Sequence, residues 1–179
     1  NGTRYERIAG INSTTYHADW ADRAAPLACW TSAPLDADME LTGHGLADLW
    51  LASSEPDASI FVYLSEVEAD GSVRYVTEGL LRALHRKESP APDRYCTTWP
   101  FRSFRREDAA PMVPGQAERI RIPLLPISWV FRKGSRVRLS IAGADADHCV
   151  QVPHGRPPRF TLLRGGDRAS ALDLPLRQR

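Results

Sequence analysis

The chain has 179 residues, 42% of them hydrophobic and 25% charged, and 23 basic against 22 acidic side chains leave a net charge of +1. That describes one ordinary globular domain, able to bury roughly 70% of its unfolded surface without a metal or disulfide staple. The charge balance excludes a dedicated nucleic-acid binder, which needs a basic excess on one face, and it excludes an acidic disordered tail.

Fourteen Pro and twelve Gly cut the chain into short windows, few of which carry a helical stripe. Residues 1–26 read as a polar, irregular lead-in, with a possible turn of helix at 21–25 beside Trp20. Residues 27–179 read as one β-sandwich domain. Its first strand candidate is Leu27–Thr31, ended by Pro34, and Asp38–Thr42 follows with the period-two alternation of a half-buried strand. After the Gly43-His44-Gly45 turn comes Ala47–Ser53.

Ser59–Glu68 and Ser72–Leu81 flank Asp70-Gly71, a strong hairpin cue because Gly accepts positive φ without steric cost. Within the first of these runs, Ile60, Val62 and Leu64 face one way and Phe61 and Tyr63 the other. Gly79–His85 reads as strand or helix. Residues 86–115 then form a long Pro-containing connection holding Tyr95, Trp99, Phe101 and Phe104 beside Arg94, Arg102, Arg105 and Arg106. So long a connection inside a domain is usually functional, and aromatics with Arg are what buried interfaces enrich.

Ala117–Leu124 and Trp129–Phe131 lead to the Arg132–Ser135 turn. Arg136–Ile141 is the cleanest alternation in the chain, apolar on one face with Arg and Ser on the other. Strands at 159–164 and 169–174, joined by Gly165-Gly166-Asp167, complete about nine or ten. That number suffices for two packed antiparallel sheets, an all-β sandwich.

Chemistry-bearing motifs are sparse. No Gly-x-Ser-x-Gly elbow occurs, and Ser135 sits in a basic turn where it needs no catalytic explanation. Cys29, Cys96 and Cys149 are odd in number and far apart, without C-x-x-C spacing. They point to a reducing, cytoplasmic setting, with Cys29 expected as a buried thiol. The stretch Asp145-Ala146-Asp147-His148-Cys149, with His154 beyond, could ligate a divalent ion, but its spacing matches no established metal motif and a chain-turning role is the plainer reading. Asp36 and Asp38 read the same way. No catalytic residue, cofactor or metal is therefore expected. No apolar run nears the ~18 residues of a membrane-spanning helix, so no membrane partner is expected either. The start at Asn1-Gly2, without Met or an apolar leader, reads as a piece of a longer polypeptide.

Trp20, Trp30, Trp50, Trp99 and Trp129 raise one alternative, a free-standing carbohydrate-binding sandwich with exposed indole platforms. Trp30 and Trp50 lie in strands, where core is the commoner use of a bulky aromatic. Trp99, crowded by apolar and Arg neighbours, reads better as an anchor between domains.

Several stretches occur in a familiar order over residues 30–175. They are Ser32-Ala33-Pro34-Leu35-Asp36-Ala37-Asp38-Met39-Glu40-Leu41-Thr42-Gly43; Leu49–Ser54 followed by Pro56–Val62; Val67 with Asp70-Gly71-Ser72; Glu78–Ala83; and Val130-Phe131 with Gly134–Asp145. Together they resemble the C-terminal domain of X-Pro dipeptidyl-peptidase-like serine hydrolases, the group that includes cocaine esterase and glutaryl acylases. One departure is Ser135, where the family usually has His between Gly and Arg.

The resemblance implies a jelly-roll, galactose-binding-like sandwich that follows an α/β-hydrolase domain carrying the Ser-His-Asp triad. The sandwich itself would be non-catalytic, packing on that domain of the same polypeptide and shaping the substrate entrance. The parent would act on ester, amide or X-Pro bonds. Tyr95, Trp99, Phe101, Phe104, Trp129 and Phe131 are the expected interdomain or oligomer contacts. A fragment exposing them would self-associate through 95–104 or 129–131.

Overall fold

β-Branched and aromatic residues at alternating positions, broken by Gly and Pro, build the strands in the order the sequence suggests. The computed structural model describes residues 17, 18, 20–145 and 149–179. A short helix, α1 (Trp20–Ala24), precedes eleven strands among the described residues: β1 (Ala28–Thr31), β2 (Met39–Gly43), β3 (Leu46–Ser53), β4 (Ser59–Val67), β5 (Val73–Arg82), β6 (Glu118–Pro123), β7 (Ile127–Phe131), β8 (Arg136–Ala142), β9 (Phe160–Leu162), β10 (Ala171–Asp173) and β11 (Leu176–Gln178). The ambiguous run 79–85 is both: β5 continues to Arg82, and a 3₁₀ turn covers Ala83–His85.

All pairings are antiparallel, and the result is an all-β sandwich. The expected two sheets are three hydrogen-bonded ladders. The first runs β1-β8-β4-β5, the second β10-β3-β6 with β9 also on β3, and the third β11-β2-β7. No described strand pairing bridges the second and third ladders, but one apolar core joins them. Leu41 and Phe131 from the third meet Leu49, Leu51, Ile120 and Ile122 from the second, and Ile60, Val62 and Leu64 from the first.

β4 is central to the first ladder and buried on both faces. Ile60, Val62 and Leu64 enter the main core, whereas Phe61 and Tyr63 point outward into a second cluster with Trp20 and Ala24. α1 thus belongs to the packing of the sandwich: the Trp20 Nε1–H donates to Ser65 Oγ at 2.7 Å. The Tyr63 hydroxyl donates to the Asp145 carboxylate at 2.9 Å. Burial first, and that carboxylate second, push the phenol well above its ordinary range.

The hairpin forms where Asp70-Gly71 places it. Gly71 has φ +89°, and the Glu68 and Ser72 backbones close the turn at 2.8 Å. Gly79 is required for a different reason. β5 passes so close to the end of β6 that a Cβ there would lie 2.4 Å from the Pro123 carbonyl oxygen. Gly79→Ala is expected to destabilise the fold by about 1–3 kcal/mol, because backbone rather than a flexible side chain must move. A urea midpoint equal to that of the parent protein would contradict this close approach.

Cys29 corrects an expectation. It is exposed, not buried. Trp30 and Leu139 pair across β1 and β8 and pack on the core, so period two turns Cys29, opposite Ser140, to the other face. Trp30 and Trp50 are only partly buried: Trp30 packs against the core edge, and the Arg168 guanidinium sits 5.3 Å from the Trp50 ring centroid. Ser135 donates its hydroxyl to the Arg132 carbonyl at 2.7 Å, a turn bond.

Candidate docking surface

β5 ends in the 3₁₀ turn at Ala83–His85, and the connection from there to β6 contains Pro90, Pro92, Pro100, Pro111 and Pro114, which lack the N–H a ladder needs. It folds back on the sandwich instead. Its far end is sealed by Ala110 N–H to Leu84 O at 3.0 Å, Met112 N–H to Pro56 O at 2.8 Å and Gly115 N–H to Ser53 O at 2.8 Å. The Met112 side chain enters the main core. Ser89 N–H to Phe101 O at 2.9 Å closes the inner part of the loop.

Arginines brace the loop from inside. Arg86 forks onto Glu118 through Nε at 2.6 Å and Nη2 at 2.9 Å, and it also donates to the Ala110 and Pro111 carbonyls. Arg102, only 7% exposed, donates to Arg121 O at 2.5 Å and to Arg86 O at 3.4 Å, with Glu88 3.7 Å away. Burial pulls its pKa down and Glu88 opposes that. The same Glu88 forks onto Arg121, whose hydrogen bonds hold the carboxyl below its usual range. Asp108 accepts from Lys87, Ser103 and Ser89, the first of these lowering its pKa most. Both carboxylates have depressed folded values, so their contribution is present at neutral pH. It is lost as pH falls through those lowered values.

The six expected contact residues separate into distinct roles. Tyr95 and Phe101 pack edge to face, centroids 5.1 Å apart. Trp99 lies edge-on to His44 at 5.2 Å, while Thr98 Oγ1 is 2.9 Å from His44 Nε2, so the loop seats on the turn between β2 and β3. The Trp99 Nε1 is buried with no acceptor. Phe104 is 61% exposed, beside His85, and has φ +54°, a conformation strained for a bulky residue. The hydroxyl of Ser103 fixes this turn, accepting from Arg105 N–H and donating to Asp108.

The other two residues belong elsewhere. Phe131 has no exposed surface and is part of the core, which removes it from any contact patch. Trp129 is half-buried and donates its Nε1–H to Glu66 Oε2 at 2.9 Å. Sequence reading missed Glu66, Arg102 as a brace, and the two histidines under the loop. A carboxylate inside the β-rich run 59–68 was the available signal for Glu66.

Among the described residues no three His, Cys, Asp or Glu side chains lie close enough together to hold a metal. The candidates Asp147 and His148 lie outside the described residues, and Asp145 is engaged by Tyr63. Among the described residues no helix is long and apolar enough to cross a membrane.

Residues 10–172 match the family described as the X-Pro dipeptidyl-peptidase C-terminal non-catalytic domain. The chain belongs to that family. A protein from Mycobacterium bovis named as a serine esterase is 42% identical over 176 residues, 98% of this chain, and one so named from Mycobacterium tuberculosis is equally similar. The chain spans 28% of the length of each. Solved structures share the fold. A CocE/NonD family hydrolase from Staphylococcus aureus superposes with TM-score 0.67 at 20% identity, covering 84% of this chain and 30% of that one. An aminopeptidase from a marine-sediment thaumarchaeon gives TM-score 0.69 at 19% identity, covering 88% and 27%.

Proposed function

We propose that this chain is the accessory sandwich of a larger serine hydrolase, with the jelly-roll, galactose-binding-like connectivity of its family. One observation carries the reading. A family defined as non-catalytic covers residues 10–172, while the whole chain spans just 28% of relatives named as serine esterases. The chemistry would then lie upstream, on an α/β-hydrolase domain acting on ester, amide or X-Pro bonds. The braced loop is the surface offered to that domain: Arg86, Arg102 and Asp108 hold it rigid, and Phe104 projects from it. Strain at an exposed aromatic is stored where a contact uses it.

The polypeptide that carries this domain should hydrolyse p-nitrophenyl acetate and lose that activity to a serine-directed fluorophosphonate. Residues 1–179 alone should be inert. An upstream sequence without an α/β-hydrolase elbow would end the reading. Within the active polypeptide, Phe104→Asp should not destabilise the sandwich itself, since the side chain is mostly solvated and Asp tolerates positive φ better than Phe. It should also lower the temperature at which esterase activity is lost. An unchanged inactivation temperature would remove Phe104 from the contact. Sedimentation of the same pair separates self-association, the competing use of one exposed aromatic. The carbohydrate-binding alternative gains nothing from the indoles: Trp50 is capped by Arg168 and Trp99 is seated on His44.

A further inference from the structure

A groove of about 560 Å³ opens where the edge strands of all three ladders meet, β1 of the first, β9 and β10 of the second and β11 of the third. Its size falls within the range of small-molecule sites. The floor is Leu49, fully buried, and the walls are Trp30 and Leu139 on one side and Leu162, Leu172 and Leu174 on the other. No acidic side chain lines it, and Arg164 is its one cation. None of the described residues gives Arg164 a carboxylate partner.

A hydroxyl donor comes from the same turn as Arg164. Ser170 N–H bonds Leu163 O at 3.0 Å, which brings the two ends of the 163–170 turn together. Ser170 Oγ accepts the Trp50 N–H at 2.9 Å, and its own proton is given to no described acceptor. The groove therefore combines an apolar trough with an unpaired guanidinium and a free hydroxyl proton. That set complements a molecule with an alkyl body and one carboxylate. A neutral lipid would leave the guanidinium unused, and an alkyl cation would be repelled by it.

We propose that this groove binds a medium-chain carboxylate, its alkyl chain along Trp30, Leu139 and Leu172 and its carboxylate on Arg164 and Ser170. The test is calorimetric titration of the full hydrolase polypeptide with dodecanoate below its micelle concentration. Saturable one-to-one binding is expected. Arg164→Gln should weaken it about tenfold, the worth of one charge-assisted hydrogen bond. Leu172→Glu, an acid placed in the wall, should abolish it, with circular dichroism reporting that the fold is kept; Arg164→Gln, at an exposed position, tests the site even if that variant fails to fold. Dodecan-1-ol should bind no better to the parent protein than dodecanoate binds to Arg164→Gln.

Binding should survive when the nucleophilic serine is blocked with phenylmethylsulfonyl fluoride. Loss on blocking would place the acid in the catalytic pocket and overturn the proposal. No saturable heat, or binding indifferent to both substitutions, would overturn it too. A Leu172→Cys thiol that maleimide cannot reach in the full polypeptide would show the groove covered by the rest of the chain, the third way for it to fail. The accessory-domain reading is tested by the presence of esterase activity without added dodecanoate, a separate measurement, so the two can fail independently.

Discussion

Phe131→Ala is expected to destabilise the domain by about 3–5 kcal/mol, the cost of emptying a large aromatic site in a close-packed interior. Phe131 has no exposed surface and sits with Leu41, Leu49 and Ile122 where the three ladders meet. No single ladder could refill that space without shifting against the other two. The measurement is the urea midpoint at unchanged m-value. If Phe131 served a partner domain instead, as the sequence pattern suggests, the midpoint of the sandwich would hardly move. A change below about 1 kcal/mol would return it to the surface.

Replacing Glu66 should be nearly as costly, for an electrostatic reason. Glu66 is 2% exposed on β4, and its two oxygens serve two donors: Oε1 accepts Arg132 N–H and Oε2 accepts Trp129 Nε1–H, each at 2.9 Å. This carboxylate joins the first ladder to the end of β7 in the third, ladders that share no described strand pairing. Glu66→Gln keeps the shape but turns an NH₂ group toward a donor. It is expected to cost about 1–3 kcal/mol. Glu66→Ala leaves both donors unsatisfied and should cost about 2–4 kcal/mol, with loss of the Trp129 near-ultraviolet signal before global unfolding. Equal stability of the parent and the Gln variant would show that the charge does nothing here.

Legibility followed locality. The Asp70-Gly71 hairpin, the β4 split between Ile60, Val62, Leu64 and Phe61, Tyr63, and the β8 alternation depend on neighbours two residues away. The first two are present as expected, whereas β8 does not alternate in burial: its first four residues are half-buried and Ser140, Ile141 and Ala142 are all buried, because β1 and β4 flank it on both sides. β11 escaped notice because three residues after Pro175 carry no period of their own; its partner β2 supplies the pairing. The loop at 86–115 was recognisable as exceptional from its length, aromatics and arginines, but not its internal order. Arg102 reads as an interface cation in sequence. In the fold it is spent on the Arg121 and Arg86 carbonyls.

By itself, then, the sequence determined the class of structure, the strand windows other than β11, the family and the lack of a nucleophile elbow, because each rests on short-range pattern or on motif order. Tertiary structure decided which way Cys29 and Phe131 point, which arginines are braces, and where three strand edges leave an apolar groove around Arg164 and Ser170. Those are properties of residues distant in sequence brought side by side. Period two fixes that neighbouring side chains oppose each other, but only the packing of one ladder on another says which of the two faces is inside.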